Sequence, residues 1–221
     1  MLIDFTIRNF MSYRDEVSLC MVASTTVKEC EGNNGTSNVS VIDNNKRILR
    51  TAAIYGGKST VIAAMDIFKA MTLQSFVDEN IVKRLSNLYY HFDTASVNEP
   101  ISMQMIFVCN EERYRYGFEI KQCKVLTEWL YVLLKGSTKE NYCFKRDGQD
   151  IKVNSKVMKG TRGVTSKTRS NALFLSTSAQ FNVEMAMNVK EWFRKRFNIL
   201  SGLTDNTLAY TAHAFMHNRL I

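Results

Sequence analysis

Ala52-Ala53-Ile54-Tyr55-Gly56-Gly57-Lys58-Ser59-Thr60-Val61-Ile62 is the stretch on which the fold of this 221-residue chain turns. It reads as a Walker A phosphate-binding loop whose middle is missing. Such a loop, G-x-x-x-x-G-K-[S/T], follows a buried strand and opens a helix, so that its backbone N–H groups cradle phosphates and its lysine reaches the outer ones. Thr51 to Tyr55 are small, apolar or β-branched, as a central strand requires, and Ser59 through Met71 carry apolar residues at helical spacing. The departure is that Gly56 abuts Gly57, which leaves too few amides for the anion-binding nest around a β-phosphate.

Two accounts compete. Either the loop is degenerate and holds no nucleotide, or the natural polypeptide carries further residues between Gly56 and Gly57. A decayed loop would lose Lys58 and Ser59 as readily as its filler, which favours the second. Under it, Gly56, Gly57 and Thr60 belong to the phosphate loop, Lys58 pairs with the β- and γ-phosphates of ATP, and Ser59 gives its hydroxyl to Mg²⁺. A plain Gly-Gly turn between a strand and a helix is the alternative, and it does not by itself call for Lys-Ser-Thr.

With 45% hydrophobic and 23% charged residues, the chain has material for one sizeable core. No run approaches the roughly 18 apolar residues of a membrane span, and Met1-Leu2-Ile3-Asp4-Phe5 lacks a basic leader with an apolar stretch behind it. These features predict a cytoplasmic protein without membrane partners. The five cysteines (Cys20, Cys30, Cys109, Cys123, Cys143) are odd in number and form no C-x-x-C pair, which speaks against a disulfide framework and a zinc site. A net charge of +8 suits a nucleic-acid or acidic-protein partner. Basic residues concentrate in Lys152 to Arg169 and in Arg194-Lys195-Arg196. The first cluster contains no aromatic residue for base stacking, so a solvated loop explains it as well as phosphate contact does.

Alternation predicts strands over Leu2 to Arg8, Glu16 to Val22, Val39 to Ile42 and Ile48 to Tyr55, with a loop over Lys28 to Asn38 and a turn at Asp43-Asn44-Asn45-Lys46. The helix from Ser59 is expected to bury Val61, Ile62, Met65, Ile67 and Phe68. Phe76 to Tyr90 reads as a helical or irregular connection. Ile101 to Cys109, Arg113 to Lys121, Val125 to Lys135 and Tyr142 to Arg146 form a meander, closed by Asp147-Gly148. Ala172 to Ser176 suggests a further buried strand, and Val183 to Phe197 a helix burying Met185, Val189, Trp192 and Phe193.

Leu2 through Glu16, followed by Ala53-Ile54-Tyr55-Gly56 and Gly57-Lys58-Ser59-Thr60, resembles the start of the ABC-type AAA ATPases related to SMC, RecF and OLD proteins. Arg113 to Glu119, Glu128-Trp129-Leu130-Tyr131, Asn171 to Ser176 and Ala179-Gln180-Phe181-Asn182 resemble the prokaryotic subgroup linked to restriction and abortive infection, that is, anti-phage defence. The resemblance implies an α/β P-loop NTPase head, with an antiparallel meander packed beside a nucleotide-binding sheet. It implies an N-terminal lobe over residues 1–175 and the start of a helical second lobe over 176–221, cut short. It further implies ATP and Mg²⁺ bound between two copies of the head in a homodimer or higher oligomer, coupled to a partner effector such as a Toprim-type nuclease. Gln180 is then the candidate glutamine that senses Mg²⁺ and the γ-phosphate, although a surface glutamine at a strand-to-helix junction explains it too. Asn9 and Ser12 lie where family members approach the nucleotide from the first hairpin; a plain turn explains them equally well.

The sequence departs from the family after Phe181, where no apolar strand ending in Asp-Glu occurs. Catalytic carboxylates are thus unassigned, and a Walker A loop without an acidic partner supplies binding more than chemistry. His213 and His217 have the four-residue spacing that would put both on one face of a helix, but no nearby Glu, Asp or Cys completes a metal set. Ser176-Thr177-Ser178 lacks the G-x-S-x-G setting of a hydrolase nucleophile. Trp129 and Tyr131 alternate along a strand, which suits sheet packing. Two functions from different classes remain: a nucleotide-driven switch ATPase with an effector partner, and a non-catalytic module that holds nucleic acid or a toxin through its basic surface.

Overall fold

The computed structural model describes residues 1–24, 38–42 and 46–200. Cys30, most of the predicted loop over 28–38, the turn at 43–45 and the His213/His217 pair fall outside them. The chain is mixed α/β. Seven strands form one antiparallel sheet in the order β2-β1-β5-β6-β7-β8-β9, from Val17–Cys20 (β2), Leu2–Arg8 (β1), Ile101–Cys109 (β5), Glu112–Lys121 (β6), Lys124–Leu133 (β7), Asn141–Asp147 (β8) and Asp150–Val153 (β9). A separate hairpin pairs Val39–Ile42 (β3) with Lys46–Leu49 (β4). Among the described residues four α-helices accompany the sheet: Lys58–Gln74 (α1), Asn80–Ser86 (α2), Phe174–Gln180 (α3) and Glu184–Lys195 (α4). None is long and apolar enough to cross a membrane.

Strict alternation in β1 and β5 places Ile3, Phe5, Ile7, Ile101, Met103, Met105 and Phe107 on one face, where they are buried. The helices cover that face because α1 is apolar enough to pack its Val61, Ala64, Ile67, Phe68 and Met71 against it. Phe68 sits at the centre, with ring centroids 5.7 Å from Phe5, 5.7 Å from Tyr116, 5.0 Å from Phe118 and 5.8 Å from Phe193 of α4. Ile62 and Met65, expected in the core, are half-buried instead.

Two expectations fail. The strand predicted to run from Ile48 to Tyr55 stops at Leu49, and 51–57 are exposed with no strand alongside them among the described residues. Their tie to the hairpin is Asn38, whose Oδ1 accepts from the amide and hydroxyl of Thr51 at 2.9 and 2.7 Å. A buried central strand requires neighbours on both sides, and β-propensity alone forms no ladder. The strand predicted over Ala172 to Ser176 is also absent, since α3 begins at Phe174. The division expected at 175/176 therefore runs through α3, and residues on both sides of it join the same core as α1 and α4.

The cause of that helix is Glu128, a fully buried carboxylate in the middle of β7. Its Oε2 accepts from the Phe174 amide at 2.6 Å and its Oε1 from the Leu175 amide at 3.0 Å, so it caps α3 from a distant strand. The Tyr116 hydroxyl donates to Oε1 at 3.0 Å, and Arg146, its cross-strand partner on β8, stands 3.6 Å from Oε2. Burial pushes the Glu128 carboxyl up from its ordinary range, and Arg146, the two amides and Tyr116 pull it back. All three direct partners of the carboxylate are donors, so the ionised form is the one this cage fits. Arg146 is held in turn by the carbonyls of Gly148, Ala172 and Arg169 at 2.7, 2.6 and 3.1 Å. Glu128→Gln turns an amide nitrogen toward donors and leaves Arg146 uncompensated, so we expect a loss of about 3–5 kcal/mol in urea-unfolding stability, with helicity falling in the same transition.

Candidate functional site

Lys58, Ser59 and Thr60 form the first turn of α1, as the motif requires. Gly57 precedes them as the N-cap in the left-handed region (φ 62°, ψ 1°), after Gly56 at φ 81°. Both values are cheap only for glycine. A left-handed residue followed by a right-handed one turns successive amides toward one side, the geometry of an anion-binding nest. Here it spans the amides of Gly57, Lys58 and Ser59. No side chain caps α1, no acidic residue occupies its first turn, and Lys58 and Ser59 are exposed, so the positive end of a 17-residue helix opens to solvent.

The first hairpin reaches this mouth. Ser12 Oγ lies 2.8 Å from Thr60 Oγ1, and the Tyr13 hydroxyl donates to the Gly57 carbonyl at 3.2 Å. Tyr13 was invisible in the sequence as a site residue, because what matters is its hydroxyl lying over Gly57: a Cβ there would collide with the Tyr13 hydroxyl oxygen. Asn9 does something else. Buried with φ 54°, it donates from Nδ2 to the carbonyls of Ser96 and Glu99, both at 2.9 Å, and accepts from the Tyr90 amide at 3.0 Å. It pins the loop before β5 and makes no contact with α1's first turn among these bonds. The link to that turn comes through its neighbours Ser12 and Tyr13.

Gln180 lies at the far end of α1. The Phe76 amide, two residues past that helix, is 3.4 Å from Ser176 Oγ on α3, and the Phe76 and Phe181 rings are 5.9 Å apart. Ser59 and Phe76 are separated by the full length of α1, about 25 Å at 1.5 Å per residue. Ser59 and Gln180 of one chain therefore cannot share one metal ion in this conformation. The exposed side chain ends α3, so the alternative of a surface glutamine fits, at a helix end and not at a strand-to-helix junction.

The basic segment 152–169 acquires the aromatic neighbours its sequence lacked: Lys167 Nζ sits 4.4 Å from the Phe181 ring centroid, and Arg169 Cζ is 5.6 Å from that of Phe76. Arg169 also pairs with Glu79 at 3.0 Å, and Arg194 and Lys195 pair with Glu191, so much of this charge is engaged. Among the described residues no group of three or more His, Cys, Asp and Glu is placed to hold a metal ion. Cys109 and Cys143 are buried thiols with raised pKa, the latter pushed up to about 12 by burial.

Two measurements probe these placements. Gly57→Ala is expected to cost about 1–2 kcal/mol from the left-handed backbone, plus the clash with Tyr13; in a Tyr13→Phe background part of the clash disappears, so urea melts of the double-mutant cycle should show positive coupling. For Cys143 the folded pKa exceeds the ordinary value of 9.0, so its contribution to stability is intact below pH 9 and falls as pH rises toward 12. At pH 9 peptide mass spectrometry should find Cys143 unalkylated by iodoacetamide in the native protein and alkylated in urea. Comparison with protein-family models, with curated proteins and with solved structures yields no match to this chain.

Proposed function

We propose that this chain is the nucleotide-binding lobe of an ATP-driven switch of the ABC type, acting in an anti-phage or restriction-like system. The observation that carries the nucleotide part is the exposed Lys58-Ser59 pair at the uncapped start of α1, behind two left-handed glycines. Lys58 and the amides of Gly57 to Ser59 would hold phosphate oxygens, and the Ser59 hydroxyl would face Mg²⁺, which supplies charge neutralisation to the phosphates when bound. The fit is partial. The lysine, the hydroxyl and the last amides of a phosphate loop are in place, whereas the arc of four residues that wraps a β-phosphate has no counterpart between Gly56 and Gly57. The defence setting, head-to-head association and an effector nuclease or toxin rest on the family resemblance of Leu2 to Glu16, Arg113 to Glu119, Glu128 to Tyr131, Asn171 to Ser176 and Ala179 to Asn182.

The direct Gly56–Gly57 junction favours a second reading, a degenerate loop in a non-catalytic interaction module. Calorimetric titration of the full polypeptide with ATP separates the two. A switch ATPase gives micromolar, Mg²⁺-dependent binding that weakens at least tenfold in Lys58→Ala, with an unchanged melting temperature because Lys58 lies outside the core. Absence of binding in the wild-type protein overturns the nucleotide reading and leaves the module.

A further inference from the structure

All ring contacts between helices and sheet involve one set of strand residues: Phe5, Phe107, Tyr116, Phe118 and Phe144. The alternate set faces away from the helices, and among the described residues no helix covers it. At its centre three adjacent strands present Arg115, Tyr131 and Tyr142 as direct cross-strand partners. The Arg115 guanidinium lies 4.0 Å from the Tyr131 ring centroid, and Lys145 Nζ is 5.4 Å from Tyr131 and 5.7 Å from Tyr142. Glu140 fixes Arg115 at 3.0 Å and Arg113 at 3.3 Å, so the guanidinium is held against the ring. One row along, the Trp129 indole lies over Gly117, where a Cβ would stand 2.5 Å from Cζ2, and its Nε1 donates to Gln104 at 3.0 Å.

This arrangement is a row of flat, oriented π-surfaces interleaved with cations. Strands are about 4.8 Å apart, so Arg115, Tyr131 and Tyr142 stand in file at that spacing. Base stacking on aromatic rings and guanidinium planes needs flat faces and tolerates any sequence, and phosphates need nearby cations. Charge next to the rings supports such an occupant: Arg113, Arg115 and Lys145 outnumber Glu140, while farther along the same face Glu119 and Asp150 are engaged by Arg8 at 3.6 Å and Lys152 at 3.3 Å, and Asp4 and Asp147 lie toward its margins. The chain as a whole carries +8.

We propose that the helix-free face of the sheet around Arg115, Tyr131 and Tyr142 binds single-stranded nucleic acid, with bases stacked on the two rings and the guanidinium and phosphates met by Lys145. It does not depend on nucleotide binding at Lys58, and it places the contact on the sheet, where Lys152 of β9 stands opposite Lys145, and not on the rest of the basic segment, residues 154–169. The test is fluorescence anisotropy of the full polypeptide with labelled oligo-dT and oligo-U strands and a duplex of the same length, at low and moderate salt. Both single strands, or one of them, should bind more tightly than the duplex, and the better strand identifies DNA or RNA as the ligand. Tyr131→Ala and Tyr142→Ala should each weaken binding roughly five- to a hundredfold, while Tyr131→Phe, which keeps the ring, stays near wild type. Lys145→Ala should lower the slope of log affinity against log salt by about 0.7, and Lys83→Ala on the exposed side of α2 should leave binding as it is. Neither ring belongs to the hydrophobic core, Tyr142 being exposed and Tyr131 half-buried, and circular dichroism melts of the variants check that they fold. Equal binding of duplex, equal effects of Lys83→Ala and Lys145→Ala, or a Tyr131→Ala effect on oligomeric state without one on nucleic-acid affinity would each overturn the proposal.

Discussion

The buried carboxylate of Glu128 ties the second half of this protein to the first. It sits on the inner face of β7, opposite Arg146 on β8, and supplies the only side-chain oxygens that the first amides of α3 meet among the described residues. Removing a charge from water is costly, and the cost is offset here only because every partner is a donor in place at once. The consequence is mutual. α3 is seven residues long, too short to persist by itself, and its position fixes Val183 and the start of α4 through the Val183 amide and the Ser178 carbonyl. α4 in turn brings Trp192 and Phe193 onto Phe107 and Phe68. The aromatic core thus rests on a polar clamp some distance from its centre.

α1 has two roles that its two sides separate. Its buried side, through Phe68, is the hub of the core, and its N-terminal turn is the candidate anion site. A site on the end of a helix that is packed along its length is rigid, which suits recognition of a small charged group. The hairpin of Asn9 to Tyr13 braces the same end: Asn9 holds the loop before β5, Ser12 touches Thr60, and Tyr13 covers Gly57. Hairpin, loop and helix start therefore form one unit, and a change at the mouth of α1 has a direct path to the edge of the sheet.

The outer face of the sheet has a different character. Most of its residues are polar or amphipathic, with Ile106 and Val108 among them, and they hold one another through cross-strand pairs, as in the Trp129–Gln104 bond and the Arg115–Tyr131 stack. An antiparallel sheet commonly leaves one face to water, and this one fills that face with oriented rings and cations.

Periodicity in the sequence was enough to place β1, the meander of β5 to β8, α1 and α4, because each buries one face against a continuous layer and so carries a full alternating or helical apolar pattern. Lys58 and Ser59 at the start of a helix were legible for the same reason: motif and helix signal coincide. Three features were decided only by tertiary structure. Ala172 to Leu175 is an unbroken apolar run, a pattern that a buried strand and a buried helix share, and the choice fell to amides met by Glu128 some 46 residues away in sequence. Residues 51–55 have the composition of a strand, but a strand exists only through bonds to a neighbour, and none is alongside them among the described residues. Gln180, four residues past Ser176, is carried to the far end of α1 by the packing of α3. Local propensity fixes what a segment can be; which partners reach it, and hence what it becomes, depends on contacts between residues that no local pattern records.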